Sequence, residues 1–368
     1  MRRPHLSETV ARLPFLKPFV GPETLERERG RAFRARLGAN ESAFGPSPLA
    51  VARIVECVSE SWKYCDPENY ELRTALAAFH GVGIENVVIG EGIDGLLGLA
   101  VKIASDPGKP VVTSDGAYPT FNFHVAAHGA QLLKVPFRAD REDITALLDR
   151  AIAANARILY LSNPNNPMGT WWTASEIEGL IRALPDNLLL LLDEAYCDTA
   201  PEGAIPPVDV KNRQVLRLRT FSKAYGLAGL RMGYALGERD LVQTFEKVRN
   251  HYGINRTGQV GALAALEDQA HLAIVVRQIA RARDRISDIA RANGLAPIPS
   301  ATNFVAIDCG RDGDFARRVL DGLMARDVFA RKPLVAGLDR TVRISCGLDR
   351  ELDLFAEALP GALADAGG

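Results

Sequence analysis

Five short apolar runs alternate with helix-like segments between residues 87 and 218 of this 368-residue chain. The runs lie at 87–89, 111–113, 158–161, 188–192 and 215–218. Segments between them, such as 144–154 and 175–184, carry apolar residues at helical spacing. Strands that are apolar throughout and separated by helices are typical of a mostly parallel sheet with both faces covered. The expected fold class is therefore α/β, built on such a sheet.

A second pattern begins after about residue 250. A long helical pattern over 258–293 precedes strand-like runs at 303–307, 328–330 and 341–344 and a helix-like segment at 351–359. This order predicts a smaller α+β domain. The arginine- and glutamate-rich segment 25–36 predicts a solvated arm or a surface helix. We expect an N-terminal arm with part of the small domain over 1–45, a large domain over 46–255 and a small domain over 256–368.

Polar residues follow the strands of the large domain at a common position. Gly92 comes after the first predicted strand, and Asn166 after the third. Asp193 ends the fourth strand, and Ser222 and Lys223 come directly after the fifth. In open α/β sheets, ligands bind outside the carboxyl ends of the strands. The sequence therefore predicts one ligand site at this edge of the sheet.

The residue types at this edge suit an aromatic aldehyde with a phosphate tail, which is pyridoxal 5'-phosphate (PLP). Lys223 offers the amine that forms an imine with the aldehyde, and once released it can act as a general base. Asp193 ends an apolar strand, where an unpaired charge is costly, and a protonated pyridine nitrogen would be its partner. Asn166 and Tyr196 can bind the phenolic oxygen of the cofactor.

The phosphate needs backbone N–H donors and a positive charge. Gly92, Ile93 and Asp94 open a predicted helix after a strand, which is a natural anion site. Ser222 and Arg231 would complete it, because arginine offers a planar pair of donors. Taken singly, these residues have ordinary structural explanations, such as an exposed lysine or a helix N-cap, but the ordered set favours the cofactor.

Four further residues bear on the prediction of ligand contacts. Tyr118 follows the strand at 111–113 and is a candidate to stack on the pyridine ring. Arg343, within the strand-like run at 341–344, is a candidate for the substrate carboxylate. His124 and His128 are four residues apart but have no evident third ligand, so we predict ordinary helix residues and no metal site.

The composition limits the partners and the location of the protein. The formal net charge of −1 argues against binding to nucleic acid or to an anionic membrane. Five scattered cysteines without a C-x-x-C pair suggest neither a disulfide framework nor a zinc site. No signal-peptide pattern follows Met1, and the longest aliphatic run, 188–192, is far below the roughly 20 residues that cross a bilayer. We predict a cytoplasmic protein that binds small molecules.

The motifs resemble those of the aspartate aminotransferase superfamily, the fold type I enzymes that use PLP, and most closely the histidinol-phosphate aminotransferase family. The resemblance covers most of the chain and rests on the segments 37–48, 69–73, 163–169, 193–196, 220–233, 300–305 and 342–347. It implies a homodimeric, PLP-dependent aminotransferase with a ping-pong cycle. The amino group would pass between a histidinol phosphate-like or aromatic amine and a 2-keto acid such as 2-oxoglutarate.

The resemblance also implies roles for individual residues. Lys223 would carry PLP covalently, with the cofactor contacts proposed above. Tyr70 matches a position that reaches the cofactor phosphate of the neighbouring subunit, which implies shared active sites. Tyr252 and Arg331 match positions that contact the distal phosphate of the substrate, Tyr252 from the neighbouring subunit. Arg343 matches an arginine that binds a carboxylate or phosphate end.

Three departures from the family pattern leave the substrate open. Phe19 stands where the family usually has a tyrosine, Met168 replaces a threonine, and Gly95 stands where an acidic residue is common. An alternative is a PLP-dependent decarboxylase or lyase of the same fold, similar to threonine-phosphate decarboxylase. A PLP-sensing transcription regulator would need an attached DNA-binding module, for which the expected N-terminal arm is too short.

Overall fold

A computed structural model describes residues 4–14 and 20–367. Phe19, one of the departures noted above, lies outside the described residues. The strands are β1 (Ala35–Arg36), β2 (Val87–Glu91), β3 (Pro110–Ser114), β4 (Gln131–Val135), β5 (Phe137–Arg138), β6 (Arg141–Glu142), β7 (Ile158–Ser162), β8 (Leu189–Asp193), β9 (Val215–Thr220), β10 (Met232–Leu236), β11 (Ala296–Pro297), β12 (Phe304–Asp308), β13 (Val328–Phe329) and β14 (Thr341–Ser345).

Helices fill most of the intervals between the strands. They are α1 (Glu8–Arg12), α2 (Pro22–Arg29), α3 (Pro48–Val58), α4 (Tyr70–His80), α5 (Gly92–Ala104), α6 (Pro119–His128), α7 (Ile144–Ala153), α8 (Ala174–Arg182), α9 (Arg239–Thr244), α10 (Arg256–Glu267), α11 (Gln269–Ala292), α12 (Gly313–Ala325) and α13 (Asp349–Gly367). The predicted helices at 144–154, 175–184 and 351–359 are confirmed as α7, α8 and part of α13.

The central sheet has seven strands in the order β2-β10-β9-β8-β7-β3-β4. The strands from β9 to β4 pair in parallel, and β10 runs antiparallel between β2 and β9. All five strands predicted for the large domain belong to this sheet. The prediction of an α/β fold with a mostly parallel sheet is confirmed, whereas β4 and the antiparallel β10 were not predicted.

Helices cover both faces of the sheet, which explains why its central strands are apolar throughout. Every residue of β7 and β8 is buried. Tyr160 and Leu191 pack with α5 and α6 on one face, whereas Leu161 and Leu192 pack with α7 and α8 on the other. Because side chains alternate along a strand, Asp193 points to the same face as Tyr160 and Leu191.

The C-terminal part of the chain forms a second core around the antiparallel sheet β11-β12-β14. Helices α11, α12 and α13 pack on this sheet. Strand β1 pairs in parallel with β13, and Ala35 is buried in the same core. The expectation of a solvated arm or surface helix over 25–36 is therefore wrong at Phe33 and Ala35, which are buried, whereas residues 30–32, 34 and 36 are exposed as expected.

The long helical pattern over 258–293 is two helices that pack in different places. They meet at Asp268, whose Oδ1 accepts a hydrogen bond from the His271 N–H at 3.1 Å and so caps the N-terminus of α11. The Ser47 hydroxyl donates to the other oxygen of Asp268 at 2.6 Å. Helix α10 packs against α3, and α11 packs in the C-terminal core. The predicted domain boundaries stay a prediction.

Neither a membrane-spanning helix nor a metal-binding group occurs among the residues that the structure describes. Within 4–14 and 20–367, no helix is both long and apolar enough to span a bilayer. Over the same ranges, no group of three or more His, Cys, Asp or Glu side chains is placed to hold a metal ion. His128 instead contacts the Ser105 carbonyl through its Nε2 at 2.7 Å. The cytoplasmic location stays a prediction.

Candidate active site

A cavity of about 910 Å³ lies between the central sheet and the C-terminal domain. It opens at the carboxyl ends of β7, β8 and β9, where Ser162, Asp193 and Thr220 line it. The C-terminal domain contributes the opposite wall. The predicted site residues that line the cavity are Ile93, Asp94, Tyr118, Asn166, Asp193, Tyr196, Ser222, Lys223, Arg231, Arg331 and Arg343.

Asp193 is a buried carboxylate with a hydrogen-bond donor on each oxygen. The Tyr160 hydroxyl donates to Oδ2 at 2.7 Å, and the Ala195 N–H donates to Oδ1 at 2.9 Å. Burial raises the pKa of Asp193 to about 6, although these two hydrogen bonds oppose the shift. A carboxylate held in this way can accept a hydrogen bond from a protonated heterocyclic nitrogen.

Lys223 projects toward the cavity just after β9, next to the backbone of Asn40. Its Nζ donates to the Asn40 carbonyl oxygen at 3.2 Å and lies 5.6 Å from the centre of the Tyr196 ring. Asn40 has the left-handed φ of 56°, and its Nδ2 donates to the Tyr196 hydroxyl at 3.0 Å. One asparagine therefore holds both the lysine and the tyrosine of the predicted site.

Asn40 was missed as a site residue, although it lies in the motif at 37–48. The available signal was its residue type, because asparagine is enriched among non-glycine residues with a positive φ. Tyr160 was also missed. Its signal was a hydroxyl within an apolar strand, since a buried hydroxyl needs a hydrogen-bond partner.

The start of α5 and the residues around β10 form an anion cradle. Gly92 has a φ of 69° at the first position of α5, and a Cβ added there would lie 2.6 Å from Arg231 Nη2. The Arg231 Nη1 is 3.4 Å from the Ser222 hydroxyl, and its Nη2 is 3.3 Å from Asp94 Oδ2. A helix N-terminus, a guanidinium and a hydroxyl suit a phosphate. The antiparallel β10 brings Arg231 to this place, because Met232 pairs with Glu91.

Arg343 is a cation of β14 with an unused donor. Its Nη1 donates to Asn166 Oδ1 at 2.6 Å, and its guanidinium lies 5.0 Å from the centre of the Phe304 ring. The Nε is buried and has no hydrogen-bond partner among the described residues. Desolvation lowers the pKa of Arg343 to about 10. An anionic ligand beside the guanidinium would offset the cost of burying the charge.

Arg331 adjoins Arg343, and further basic residues surround it. The backbones of Arg331 and Arg343 form a bridge, and the Arg331 Nη2 donates to the Val20 carbonyl oxygen at 2.9 Å. Desolvation lowers the pKa of Arg331 and of Lys332. Arg317 also lines the cavity. The C-terminal wall of the cavity therefore carries several cations, and Arg231 lies on the opposite side, in the anion cradle.

Tyr118 stands where α6 begins, and its position fits a stacking role. It lines the cavity directly before Pro119, the first residue of the helix. Desolvation raises the pKa of its phenol, which therefore stays protonated at neutral pH. By contrast, Met168 is fully buried and packs with Ile298 and Leu338, so its departure from the family pattern is a matter of core packing.

Tyr70 and Tyr252 are not brought to the cavity of their own chain. They are 60% and 56% exposed and do not line it. Tyr252 packs against Tyr64, with ring centres 4.9 Å apart.

Glu142 is a second buried carboxyl near Asp193, and the sequence analysis did not single it out. Its Oε2 accepts the Ser162 N–H at 3.1 Å. Burial raises the pKa of Glu142 to about 8, with the nearby Asp193 charge adding to the effect. Its carboxyl is therefore protonated in the folded protein at neutral pH.

Glu142→Gln is expected to flatten the pH dependence of stability. A glutamate in the unfolded chain has a pKa of about 4.3. Between that pH and about 8, the folded state therefore binds one proton more than the unfolded state at this residue. The free energy of unfolding then falls as the pH rises, by up to about 1.4 kcal/mol per pH unit from this group. Denaturant unfolding of the apoenzyme from pH 5 to about 8 checks this. The exposed Glu357→Gln is the control, and parallel curves for wild type and Glu142→Gln would contradict the assignment.

The fold and the cavity together define a fold type I, PLP-dependent enzyme. The model of the family "Aminotransferase class I and II" matches residues 35–359. The chain therefore belongs to the class I and II aminotransferases. The predictions of the family, of a PLP-dependent aminotransferase and of small-molecule amino and keto-acid substrates are confirmed. The decarboxylase alternative is not favoured.

Among its relatives, the chain is similar to histidinol-phosphate aminotransferases over nearly its whole length. The Moorella thermoacetica enzyme is 34% identical over 95% of this chain and 91% of its own. The solved structure of the Sinorhizobium meliloti enzyme, in complex with PLP, has a TM-score of 0.96 and 50% identity over 99% of this chain and 98% of that chain. Aspartate aminotransferase from Thermus thermophilus shares the fold, with a TM-score of 0.80 at 24% identity over 98% of this chain and 100% of that chain.

Proposed function

We propose that this aminotransferase exchanges the amino group of histidinol phosphate, or a closely related phosphorylated amine, with 2-oxoglutarate. The observation that carries the proposal is a second group of cations in the cavity. Arg331, Lys332 and Arg343 line the C-terminal wall, apart from the cradle at Arg231. A cofactor phosphate would occupy only the cradle. The relatives named histidinol-phosphate aminotransferases support a phosphorylated substrate for the second group.

We propose the following roles for the cofactor contacts, which the grouping of these residues around one cavity supports. Lys223 would hold PLP covalently, and Asp193 would face its ring nitrogen. Tyr196 and Asn166 would hydrogen-bond the phenolic oxygen, and Tyr118 would stack on the ring. The phosphate would lie in the cradle. The residues assigned to the cradle are Gly92, Ile93, Asp94, Ser222 and Arg231.

When bound, PLP supplies an electron-accepting ring. Lys223, released from the cofactor, would move a proton to and from the substrate α-carbon. Asp193, as a carboxylate, would keep the ring nitrogen protonated. Arg343, which lines the cavity, would bind and orient an anionic end of the substrate. The keto acid would then enter the same cavity in the second half of the ping-pong cycle.

A single-turnover experiment tests the substrate. The holoenzyme is mixed with one amine at a time, and the loss of the cofactor absorbance is followed. Histidinol phosphate is expected to react at least about tenfold faster than histidinol, because each charged hydrogen bond to phosphate contributes about 1.5–3 kcal/mol. Arg331→Met is expected to remove most of this preference. Equal rates for both amines, or prompt reaction with phenylalanine alone, would contradict the proposal and indicate an unphosphorylated aromatic substrate.

The homodimer is also proposed, with an exposed apolar surface on and after α3 as its interface. The surface comprises Val51, Val55, Val58, Trp62 and Tyr64, all of them exposed. Several large apolar side chains exposed along one short segment are typical of an interface between protein chains. Tyr252 packs against Tyr64 of this surface, and Tyr70 is exposed. We propose that both tyrosines enter the active site of the neighbouring subunit, which accounts for their absence from the cavity of their own chain.

Mixing two inactive variants tests the shared site. Tyr70→Ala and Lys223→Ala are each expected to be impaired, and mixing them is expected to restore about a quarter of wild-type activity, because mixed dimers contain one intact site. Mixing Asp193→Ala with Lys223→Ala is the control and is expected to restore nothing, since both residues belong to one subunit. A monomer of 39.9 kDa in solution would contradict the dimer.

Two coarser proposals complete the assignment. We propose the arm over 1–45, the PLP-binding domain over 46–255 and the small domain over 256–368 as the domain division. The separate cores around the seven-stranded and three-stranded sheets support two domains. A cytoplasmic location is proposed because substrates of this kind belong to amino-acid biosynthesis.

A further inference from the structure

We propose that Tyr160 is a positioning residue of this aminotransferase, whose hydroxyl keeps Asp193 ionised and oriented toward the ring nitrogen of PLP. The inference rests on the role proposed above for Asp193. It adds a residue that no motif of the chain identifies. Tyr160 lies in the middle of β7, next to the central strand β8.

The hydroxyl of Tyr160 is aimed at Asp193. Tyr160 is fully buried, and its Oη donates to Asp193 Oδ2 at 2.7 Å. The adjacent strands bring the two residues to one face, since Tyr160 pairs with Leu191, two residues before Asp193. A buried hydroxyl without a partner would destabilise the sheet, and Asp193 supplies that partner. Burial raises the pKa of Tyr160 well above its ordinary value, so the phenol remains a donor at working pH.

The Tyr160 ring is held in place by stacking. The rings of Phe121 and Tyr160 are 4.4 Å apart between centres, with an angle of 15° between their planes. Phe121 is fully buried on α6, the helix that Tyr118 precedes. The same helix therefore places the residue proposed to stack on the cofactor and fixes the residue that bonds to Asp193. The ring cannot turn its hydroxyl away without disturbing this core.

The Tyr160 hydroxyl favours the ionised form of Asp193 because its hydrogen-bond acceptor is a carboxylate. A hydrogen bond to a carboxylate stabilises the ionised form. Without the Tyr160 hydroxyl, the buried Asp193 would take up a proton more readily and would be a weaker partner for a protonated ring nitrogen. Tyr160 therefore acts on the reaction through Asp193 and does not touch the reacting atoms.

Tyr160→Phe tests this, because phenylalanine keeps the ring and its stacking and removes only the hydroxyl. The probes are PLP and an analogue with carbon in place of the ring nitrogen, each titrated into apoenzyme. The variant is expected to bind PLP about 10- to 100-fold more weakly and to bind the analogue as wild type does. Its kcat is expected to fall by a similar factor, with KM changed by less than about twofold. Tyr234→Phe is the control, since its buried hydroxyl contacts His80 Nε2 at 3.0 Å and lies outside the cavity.

Two results would overturn the inference: an equal loss of affinity for PLP and for the analogue, or no loss for either. The same two titrations of Asp193→Asn distinguish a failure of the Tyr160 inference from a failure of the role proposed for Asp193. If Asp193→Asn also weakens the binding of PLP and of the analogue equally, or of neither, the proposed role of Asp193 fails; if only Tyr160→Phe gives such a result, the role of Tyr160 alone fails. Should Tyr160→Phe not fold, Phe121→Leu loosens the stacking and is expected to reduce the same preference by a smaller factor. An unchanged preference there would also overturn the inference.

Discussion

Replacing Lys223 with alanine is expected to lower kcat by at least about 10³-fold, the largest effect on activity of any substitution considered. The variant loses both the amine that would hold PLP and the base that would move the substrate proton. Its fold is expected to remain, because within 4–14 and 20–367 the Lys223 Nζ makes one hydrogen bond, to the Asn40 carbonyl oxygen, and that oxygen also accepts the Asn303 side-chain amide at 3.0 Å.

Covalent labelling and kinetics together check the prediction for Lys223. After borohydride reduction, the wild-type peptide that contains residue 223 is expected to gain the mass of the cofactor, and the variant is expected to gain none. Lys134→Ala is the control: it lines the same cavity, but its Nζ is paired with Asp115 at 3.0 Å. A variant at position 223 that still carried a reducible cofactor, or that kept kcat within about tenfold of wild type, would refute the assignment.

The sequence predicted the central sheet well because its strands are buried on both faces. A strand such as β8 is apolar at every position before Asp193, and this continuous pattern is distinctive. The site was predictable for the same topological reason. Parallel strands end at one edge, so residues that follow separate strands converge, as Asp193 and Lys223 do in the cavity.

The parts that were not predicted are those that depend on contacts distant in sequence. Strand β4 lies at the sheet edge and is only partly buried, so it lacks the apolar signature. The break at Asp268 was overlooked because apolar spacing continues across it, although an N-cap residue marks it. The left-handed backbone at Asn40 gains its function only when Tyr196 and Lys223 fold against it.

A different limit applies to Tyr70 and Tyr252. Both side chains are exposed in a single chain. The residues around them in the sequence predict neither a place in the core nor a place in the site. The family resemblance supplied their expected role, which the second subunit of the proposed homodimer would complete. The role of an exposed residue that acts in another subunit cannot be predicted from the residues near it in its own sequence.

The largest effect on stability is expected at Arg217, which neutralises the buried Glu194 next to Asp193. The Arg217 Nε lies 3.0 Å and 3.1 Å from the two oxygens of Glu194, and its Nη2 forms an ion pair with the same carboxylate. Arg217 also donates to the carbonyl oxygens of Pro206 and Pro207 at 2.7 Å and 2.6 Å. Although burial acts to raise it, the charges of Arg219 and Arg217 hold the pKa of Glu194 below its ordinary value.

Arg217→Met is expected to lower the free energy of unfolding by about 3–5 kcal/mol, because it leaves a buried carboxylate with only Arg219 as a charged partner. Chemical denaturation of the apoenzyme at pH 7 measures the change. Arg36→Met is the matched control: Arg36 pairs with Glu23 and Glu26 but is 39% exposed, so a loss below about 1 kcal/mol is expected. The double variant Arg217→Met/Glu194→Leu is expected to be more stable than the sum of the two single losses predicts, since neither charge of the pair is then left unpartnered. Additive losses would show that packing around the two side chains, and not their charges, dominates their contribution to stability.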